Sequence, residues 1–509
     1  MIAQSKSTNI SLAELVDQAN GLDWGGPTPT SEPLITQFLT QSHSALDGDL
    51  LARMSPDLLA TLLKDFWLWG ENREDKTSLV RTRLIDPTDN RDDCFTVLEV
   101  IGEDMPFLVG SILGACRDAN LHADMVIHPI LEHGRDSNGK RVLSPGETRD
   151  SYIQIYMEEI DADSADKLVK EIQKTLGEVR SCVADFATMQ TRMRDAAGTV
   201  GMNAHMDSQR TKEAEDFLRW LANDHFTFLG SRRYTFARNE DGTLAAEEPE
   251  IIPGSSLGIL RDETRYILKR GSEPTIVTDQ ISDFLNEADP LIIAKATLKS
   301  RVHRRVRADY IGVKQYDDKG QVVGEIRFVG LFTADAYNSM TKDVPLIREK
   351  VRRVLIAAGK RPNSHDSNAL RHILETYPRD ELFQISDEEL LEHANSILQL
   401  QNRMETRIFI RKDRFDRYMS ALVYIPKEAF HSELRRKIGR AIERAFDAKQ
   451  TAFYPQYGEA PLARIHFLMD LNQGHKEPDL DKLHAEITRL AQSWNDELRT
   501  LARSQRHRI

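Results

Sequence analysis

The sequence predicts an α+β fold built from repeated units in which strands and helices follow the order β-α-β-β-α-β. The clearest unit lies in residues 94–188, where strand-like and helix-like apolar patterns alternate. Its predicted elements are a strand at 94–101, a helix at 107–120, strands at 121–128 and 153–157, a helix at 165–177 and a strand at 179–186. This order is the ferredoxin-like, split βαβ arrangement.

Local signals support each of these elements in turn. Residues 94–101 are mostly apolar and rich in β-formers, which is typical of a strand buried on both faces. Asp104 and Pro106 then supply a capping carboxylate and a first-turn proline for a helix. In the predicted strand at 121–128, apolar and polar residues alternate with a period of two. Gly177 is placed to end the second helix.

Composition restricts the class of protein. The chain has 509 residues and a net charge of −12, with 68 lysines and arginines against 80 acidic residues. No segment approaches the ~18 consecutive apolar residues of a membrane-spanning helix, and the acidic balance disfavours a dedicated nucleic-acid binder. Three cysteines without a CxxC pair favour reduced thiols. We therefore expect a cytoplasmic protein with no membrane or nucleic-acid partner.

The patterns divide the chain into several regions. The stretch 191–212 lacks periodicity, and a capping box at 386–389 opens a helix. The predicted regions are a helical N-terminal segment (1–90), a first α+β domain (91–190), a linker (191–212), second and third α+β domains (213–385 and 386–475) and a C-terminal amphipathic helix (476–509). The last helix carries an apolar stripe from Leu480 to Leu501, which we expect to pack on something beyond residue 509 or on another chain.

No catalytic or cofactor-binding motif is predicted. Two glycines separated by one residue, the Walker sequence and HExxH all fail to occur in this sequence. Ser256 lies in a GxSxG pattern, but Pro253 interrupts the required strand, so a glycine-serine loop is the favoured interpretation. His122, Asp124 and His128, with His133, have a spacing that permits a metal, yet the solvent side of a sheet explains them better, and no metal site is predicted.

Two groups of residues remain as candidate binding sites. Asp104, Met105 and Pro106 form a loop where free helix N–H groups would receive a carboxylate and Asp104 an ammonium; the alternative is that Asp104 only caps the helix. Arg301, His303 and Arg304 lie in a basic cluster at 299–307. We interpret this cluster as a solvated or interdomain strand, with an anionic ligand, and more remotely nucleic acid, as alternatives.

Several segments resemble the N-terminal portion of the large bacterial NAD-dependent glutamate dehydrogenases, in that family's order. These are DMPFLV (104–109), MVIHP (125–129), HFTFLG (225–230), LGIL (257–260), SRVHR (300–304), DYIGVK (309–314), FVGLF (328–332) and YPRDELF (377–383). The resemblance implies three ACT-type regulatory domains at 91–190, 213–385 and 386–475, ahead of a catalytic region that oxidises L-glutamate with NAD. It also implies an amino-acid effector and a homo-oligomer.

The sequence departs from the family pattern in two respects. This sequence has no counterpart of the family's lysine before paired glycines or of its nucleotide-binding glycine loop. We therefore expect the catalytic region to lie outside these residues and this chain to bind no NAD. Amino-acid-binding ACT modules generally have a glycine where this chain has Phe107. The preferred hypothesis is a regulatory and assembly region of a glutamate dehydrogenase. The alternatives are a stand-alone amino-acid sensor that acts on a partner protein and a hydrolase that uses Ser256.

Overall fold

The computed structural model describes residues 10–46, 54–86, 94–143, 146–203, 206–240, 243–245, 247–268, 289–400, 405–413, 417–457, 461–472 and 474–491. These residues fall into two compact units. The first contains residues up to Phe186 together with Leu257–Arg261 and Lys299–Arg307, and the second contains the rest. None of the helices in the described ranges is both long and apolar enough to cross a membrane.

The first unit contains an antiparallel sheet with helices on both faces. Its elements are α1 (Leu12–Asn20), α2 (Pro33–Ser44), α3 (Pro56–Trp69), β1 (Leu79–Ile85), β2 (Phe95–Glu103), α4 (Leu108–Asp118), β3 (Met125–Ile127), β4 (Ile130–Arg135), β5 (Arg141–Val142), β6 (Thr148–Glu158) and the first part of α5 (Ala162–Gly201). The strand order is β1-β2-β6-β4-β5, and β3 also pairs with β6. The α+β class is therefore confirmed.

The N-terminal helices belong to the core of this sheet. Alternate residues of β2, including Val97 and Ile101, join a buried cluster with α1, α2 and α3. The ring of Phe38 on α2 lies 5.6 Å from that of Tyr152 on β6, centroid to centroid. Helices α1–α3 thus do not form a separate helical segment, because their apolar side chains cover one face of the first sheet.

Two predictions for the end of the first domain are wrong. Residues 179–186 are not a strand, and 191–201 are not a linker; both lie in the 40-residue helix α5. Val179 and Cys182 are buried three residues apart, which is helical spacing, and a short apolar run cannot distinguish the two structures. Gly177 lies inside the helix rather than at its end.

The first module has no strand at 179–186, where its last strand was predicted. Strand β1, which comes before β2 in sequence, takes a place in the sheet instead. The sequence of this strand is polar, since Arg81 and Arg83 occupy alternate positions along it. Both arginines pair with the buried Glu99 of β2. Charged strand residues conceal the apolar alternation on which sequence patterns depend. If β3 and β4, which both pair with β6, are counted as one strand and the two-residue β5 is left aside, the observed order is β-β-α-β-β-α, with β1 at the edge beside β2.

The second unit contains two more antiparallel sheets and a group of helices. Its elements are α6 (Ser208–Trp220), β7 (Phe226–Thr235), β8 (Glu250–Ile251), β9 (Leu257–Gly258, assigned to the first unit), β10 (Leu291–Lys299), β11 (Arg307–Tyr316), β12 (Val322–Phe332), α7 (Ala334–Asn338), α8 (Ile347–Ala357), α9 (His365–Thr376), α10 (Arg379–Gln384), α11 (Asp387–Leu400), β13 (Arg407–Lys412), β14 (Tyr418–Pro426), α12 (Ser432–Phe446), β15 (Ala448–Tyr457), β16 (Leu462–Leu471) and α13 (Leu480–Ala491).

The sheet formed by residues 226–332 does not follow the predicted β-α-β-β-α-β order. Its strands are arranged β10-β11-β12-β7-β8. Consecutive strands β10, β11 and β12 are joined by short loops, so this part is a meander rather than a pair of split βαβ crossovers. The hairpin-type turn at 317–320 predicts the pairing of β11 with β12, which is confirmed, whereas the pairing of β12 with β7 could not be predicted.

The third sheet repeats the architecture of the first. Its order is β13-β14-β16-β15, with all neighbours antiparallel, and the chain order is again β-β-α-β-β-α. Helices α12 and α13 cover one face. Leu422, from the opposite face of β14, joins the core of α8–α11. In the first and third modules, helices that precede the sheet in sequence pack on its second face.

The C-terminal helix packs on its own module. Leu483 and Ile487 of α13 are buried in the core of the third sheet, and Leu490 packs against that core. The expectation that this part of the stripe needs a partner outside the chain is wrong. Trp494, Leu498 and Leu501 lie outside the described residues.

Candidate functional site

The predicted effector loop connects β2 to α4. The Asp104 N–H donates to the Arg149 carbonyl at 2.8 Å, and the Asp104 carboxylate lies 3.1 Å from Arg149 Nε. No side chain caps α4, whose N-cap residue is Phe107. The alternative in which Asp104 caps this helix is therefore wrong, since its carboxylate pairs with an arginine on β6.

Phe107 adopts the backbone conformation that glycine favours. Its φ is 73°, in the left-handed region, which costs a residue with a side chain roughly 1–2 kcal/mol. The glycine expected at this position by the resemblance is replaced, but the turn is kept. Met105 is buried and Pro106 is exposed, so at Met105 only the backbone is available to a ligand.

The basic cluster lies directly against this loop. We call Lys299–Arg307 the strap; it connects β10 to β11 in sequence and belongs to the first unit. The His303 N–H donates to Ser111 Oγ at 2.8 Å, and Ser111 Oγ donates to the Phe107 carbonyl at 2.6 Å. The rings of His303 and Phe107 lie 5.0 Å apart, centroid to centroid. The sequence did not predict this contact between the two candidate groups.

Two arginines hold the strap on an acidic face of α5. Arg301 contacts Glu171 at 2.9 Å and Glu178 at 3.0 Å, and Arg305 contacts Glu171 at 3.0 Å. Burial raises the pKa of Glu171, but hydrogen bonds from Arg301 and Arg305 outweigh it and leave the pKa below its usual value. The main chain of Arg304 continues the turn, with its N–H donating to the Val302 carbonyl.

Two glycines of α4 make room for the strap. A Cβ atom at Gly114 would lie 2.8 Å from Arg305 Cγ, and one at Gly110 would lie 3.4 Å from the His303 carbonyl oxygen. A glycine inside a helix costs about 1 kcal/mol relative to alanine. Glycines at i and i+4 were therefore the sequence signal for a close approach on this face of α4.

Ser256 has no geometry of an activated nucleophile. Its Oγ accepts a hydrogen bond from Nε of the buried Arg232 at 3.1 Å, whereas activation requires a base that removes its proton. No α-helix follows it directly; the next elements are the two-residue strand β9 and a 3-10 turn at Ile259–Arg261. The structural context of a nucleophile elbow is not present at this position.

The four residues considered for a metal are separated. His122 and Asp124 are exposed, His128 Nε2 lies 2.5 Å from Ser151 Oγ, and the buried His133 lies 3.3 Å from Asp150. Burial lowers the pKa of His128. Within the described ranges, no group of three His, Cys, Asp or Glu side chains lies together in a way that would hold a metal ion.

A buried charged cluster in the second unit was not predicted. Lys295 Nζ lies 2.6 Å from Asp309 and 3.1 Å from Asp380, and the Tyr337 hydroxyl donates to Asp380 at 2.9 Å. Burial raises the pKa of Asp309 to about 6, against the opposing effect of Lys295. The four residues lie on β10, β11, α7 and α10, so no local sequence pattern could bring them together. The cluster joins the second sheet to the helices that follow it.

The same unit contains a cleft of about 470 Å³. Its walls carry both signs of charge, and many of these groups pair with one another. Arg353 contacts Asp387 at 2.5 Å, and Lys350 donates to the carbonyls of Leu382 and Ile385. The paired charges define no ligand class, so the β2–α4 loop with its strap remains the better candidate.

Three family models match this chain. They are described as the ACT1 domain (residues 38–176), helical motif 1 (344–403) and the ACT2 domain (407–495) of glutamate dehydrogenase. The ACT1 match begins inside α2, in agreement with the packing of these helices on the first sheet. The ACT2 match includes α13, and the helical motif covers α8–α11.

Curated relatives match over most of the chain. The NAD-specific glutamate dehydrogenase of Halomonas elongata is 34% identical over 469 residues, which are 88% of this chain and 28% of the relative. That of Pseudomonas aeruginosa is 31% identical over 486 residues (92% and 29%), and that of Mycobacterium tuberculosis is 26% identical over 424 residues (79% and 25%). The chain thus spans less than a third of the length of these relatives.

Proposed function

We infer the function from one premise: the chain belongs to the family of the NAD-specific glutamate dehydrogenases. We propose that it is the regulatory and assembly region of such an enzyme. The oxidation of L-glutamate by NAD, to 2-oxoglutarate, ammonium and NADH, then takes place in a catalytic region outside these 509 residues. The partners are that region, in the same chain or in trans, and further copies of this chain, all in the cytoplasm.

The observation that carries the proposal is the β2–α4 loop of the module matched as ACT1. Uncapped N–H groups at the start of α4 and the carboxylate of Asp104 lie on the same short loop. A free L-amino acid would place its carboxylate on the N–H groups and its ammonium on Asp104. Arg149 is exposed beside this carboxylate and would exchange its ion pair for that of the ligand. NAD is not a ligand of this region.

Replacement of Asp104 by asparagine is expected to weaken amino-acid binding at least tenfold. Loss of one charge-assisted hydrogen bond costs roughly 1.5–3 kcal/mol, and about 1.4 kcal/mol is a factor of ten in affinity. The measurement is calorimetric titration of the purified chain with each of the twenty proteinogenic L-amino acids.

Asp124→Asn is the matched control, because Asp124 is an exposed aspartate elsewhere in the same unit. It should bind as the unmodified chain does. If no amino acid binds, or if Asp104→Asn binds with unchanged affinity, the effector site is not at this loop.

A further inference from the structure

We propose that the strap, Lys299–Arg307, is a releasable lid that closes the β2–α4 loop and the first turn of α4. The inference deepens the proposed function and rests on it for the role of the loop as an effector site. The contacts that hold the lid lie within the first unit. In the closed form observed here, His303 covers Phe107 and the strap occupies the groove left by Gly110 and Gly114.

The strap is a small turn that keeps its own shape. The Ser300 N–H donates to the Val306 carbonyl at 2.8 Å, and Ser300 Oγ donates to the Val302 carbonyl at 2.8 Å. These bonds lie within the strap and do not depend on α4 or α5. Such a segment can leave its groove as a unit without losing its internal hydrogen bonds.

Part of the attraction that holds the strap can be weakened by salt. Arg301 and Glu171 have side chains that are 34% and 31% exposed, so water and salt screen their attraction, and an exposed ion pair is typically worth about 0–1 kcal/mol. Glu178 and Arg305 are only 9% and 10% exposed, so their ion pairs are screened less. The apolar contribution comes mainly from Val302, which is buried, and from the ring contact of His303. Removal or screening of the ion pairs is therefore expected to favour opening of the strap.

The closed contact also holds two strained residues. Phe107 has φ = 73° and His303 has φ = 65°, and their rings touch each other. Left-handed backbone at a residue with a side chain costs roughly 1–2 kcal/mol and persists where surrounding contacts impose it. The His303 conformation belongs to the turn inside the strap, where the Arg304 N–H donates to the Val302 carbonyl, so it moves with the strap. The ring contact between His303 and Phe107 is what opening would break.

Hydrogen exchange of the purified chain, followed by mass spectrometry, tests the lid. The peptides to compare are those covering the strap and residues 107–118, with a peptide from α3 as the reference for global unfolding. The test variant is Arg301→Gln with Arg305→Gln, and Lys299→Gln is the control. The Lys299→Gln control removes one positive charge from the same segment, at an exposed position where Lys299 pairs with Asp118. The unmodified chain is measured in 50 mM and in 1 M NaCl.

We expect exchange at least fivefold faster in both the strap peptide and the 107–118 peptide, in the double variant and in 1 M NaCl. The α3 peptide and the Lys299→Gln control should be unchanged. Unchanged exchange of the strap in both conditions would overturn the proposal. So would faster exchange of the strap with no change at 107–118, because the strap would then cover nothing. If exchange of the α3 peptide is also faster in the double variant, that variant is globally destabilised. The comparison of the unmodified chain in 50 mM and 1 M NaCl then decides whether the strap opens.

The lid and the effector site fail in different ways. A strap that opens while no amino acid binds the chain refutes the effector site and leaves the lid standing. A strap that exchanges only with global unfolding refutes the lid, whatever the calorimetry shows.

Discussion

Replacement of Lys295 by methionine is expected to lower the free energy of unfolding of the second unit by roughly 3–5 kcal/mol at pH 8, the usual range when one partner of a buried ion pair is removed. Methionine fills much of the same volume but leaves Asp309 and Asp380 without their cation. Both carboxylates lie within 3.1 Å of Lys295 Nζ. Burial lowers the pKa of Lys295, but the attraction of the two carboxylates outweighs burial and raises this pKa above its usual value. Lys295 therefore stays charged across this pH range.

The deficit of this variant should shrink at lower pH. In the folded protein the pKa of Asp309 is raised from 3.8 to about 6, chiefly by burial, while Lys295 lowers it. A carboxyl whose folded pKa is raised contributes stability that is fully present below its unfolded pKa and is lost as pH rises through the folded pKa. Without Lys295 the folded pKa rises further, so the loss extends to higher pH. We therefore expect a smaller deficit at pH 5 than at pH 8.

Urea unfolding at pH 5 and pH 8, followed by circular dichroism, measures both effects. Lys212→Met is the matched control, since Lys212 forms an exposed i,i+4 pair with Asp216 in the same unit. The control should change stability by less than about 1 kcal/mol. A deficit in Lys295→Met that is equally large at pH 5 would contradict the charge argument and leave a packing effect in its place.

Replacement of Phe38 by alanine is expected to cost the first unit about 3–5 kcal/mol, the typical cost of removing a buried aromatic side chain. Phe38 is fully buried, and its ring lies 5.3 Å from that of Trp67 and 5.6 Å from that of Tyr152, centroid to centroid. The cavity would open between the N-terminal helices and the sheet. The loss of stability should therefore reach strand β6 and not only the helices.

Hydrogen exchange of peptides from α2 and from β6, together with the melting temperature, distinguishes these outcomes. Leu84→Ala is the control, because Leu84 is 57% exposed on β1. If Phe38→Ala accelerated exchange in α2 alone, the helices would be an independent segment, as the sequence patterns suggested.

The first module shows how far the sequence could be read. Strand β2, helix α4 and strand β6 were predicted near their observed positions, because buried apolar runs mark them; Pro106 precedes the N-cap Phe107 and does not lie in the first turn of α4 as expected. Strand β1 was missed since arginines alternate along it, and α5 was divided since Val179–Phe186 is compatible with either structure. The pairing of β12 with β7 in the second sheet depends on contacts between residues far apart in sequence, unlike the β11–β12 hairpin. No local pattern contains that information.

The candidate site could be predicted only in its parts. Asp104 and the basic residues of the strap were identified as separate features, about 200 residues apart in sequence. Their contact through Ser111, Phe107 and His303 is a tertiary property. The glycines at 110 and 114 were the local sign that another segment approaches α4, but they did not identify that segment. Phe107 was interpreted from its side chain alone, whereas the structure shows that its backbone keeps the turn.

The central claim is that this chain governs a reaction that is carried out elsewhere. Its most direct test is the formation of NADH from L-glutamate and NAD by the purified 509-residue chain, with the full-length enzyme of Halomonas elongata as the positive control. We predict no glutamate-dependent NADH above the rate without enzyme, under conditions in which the control turns over. Sustained, glutamate-dependent NADH formation by this chain alone would contradict the account.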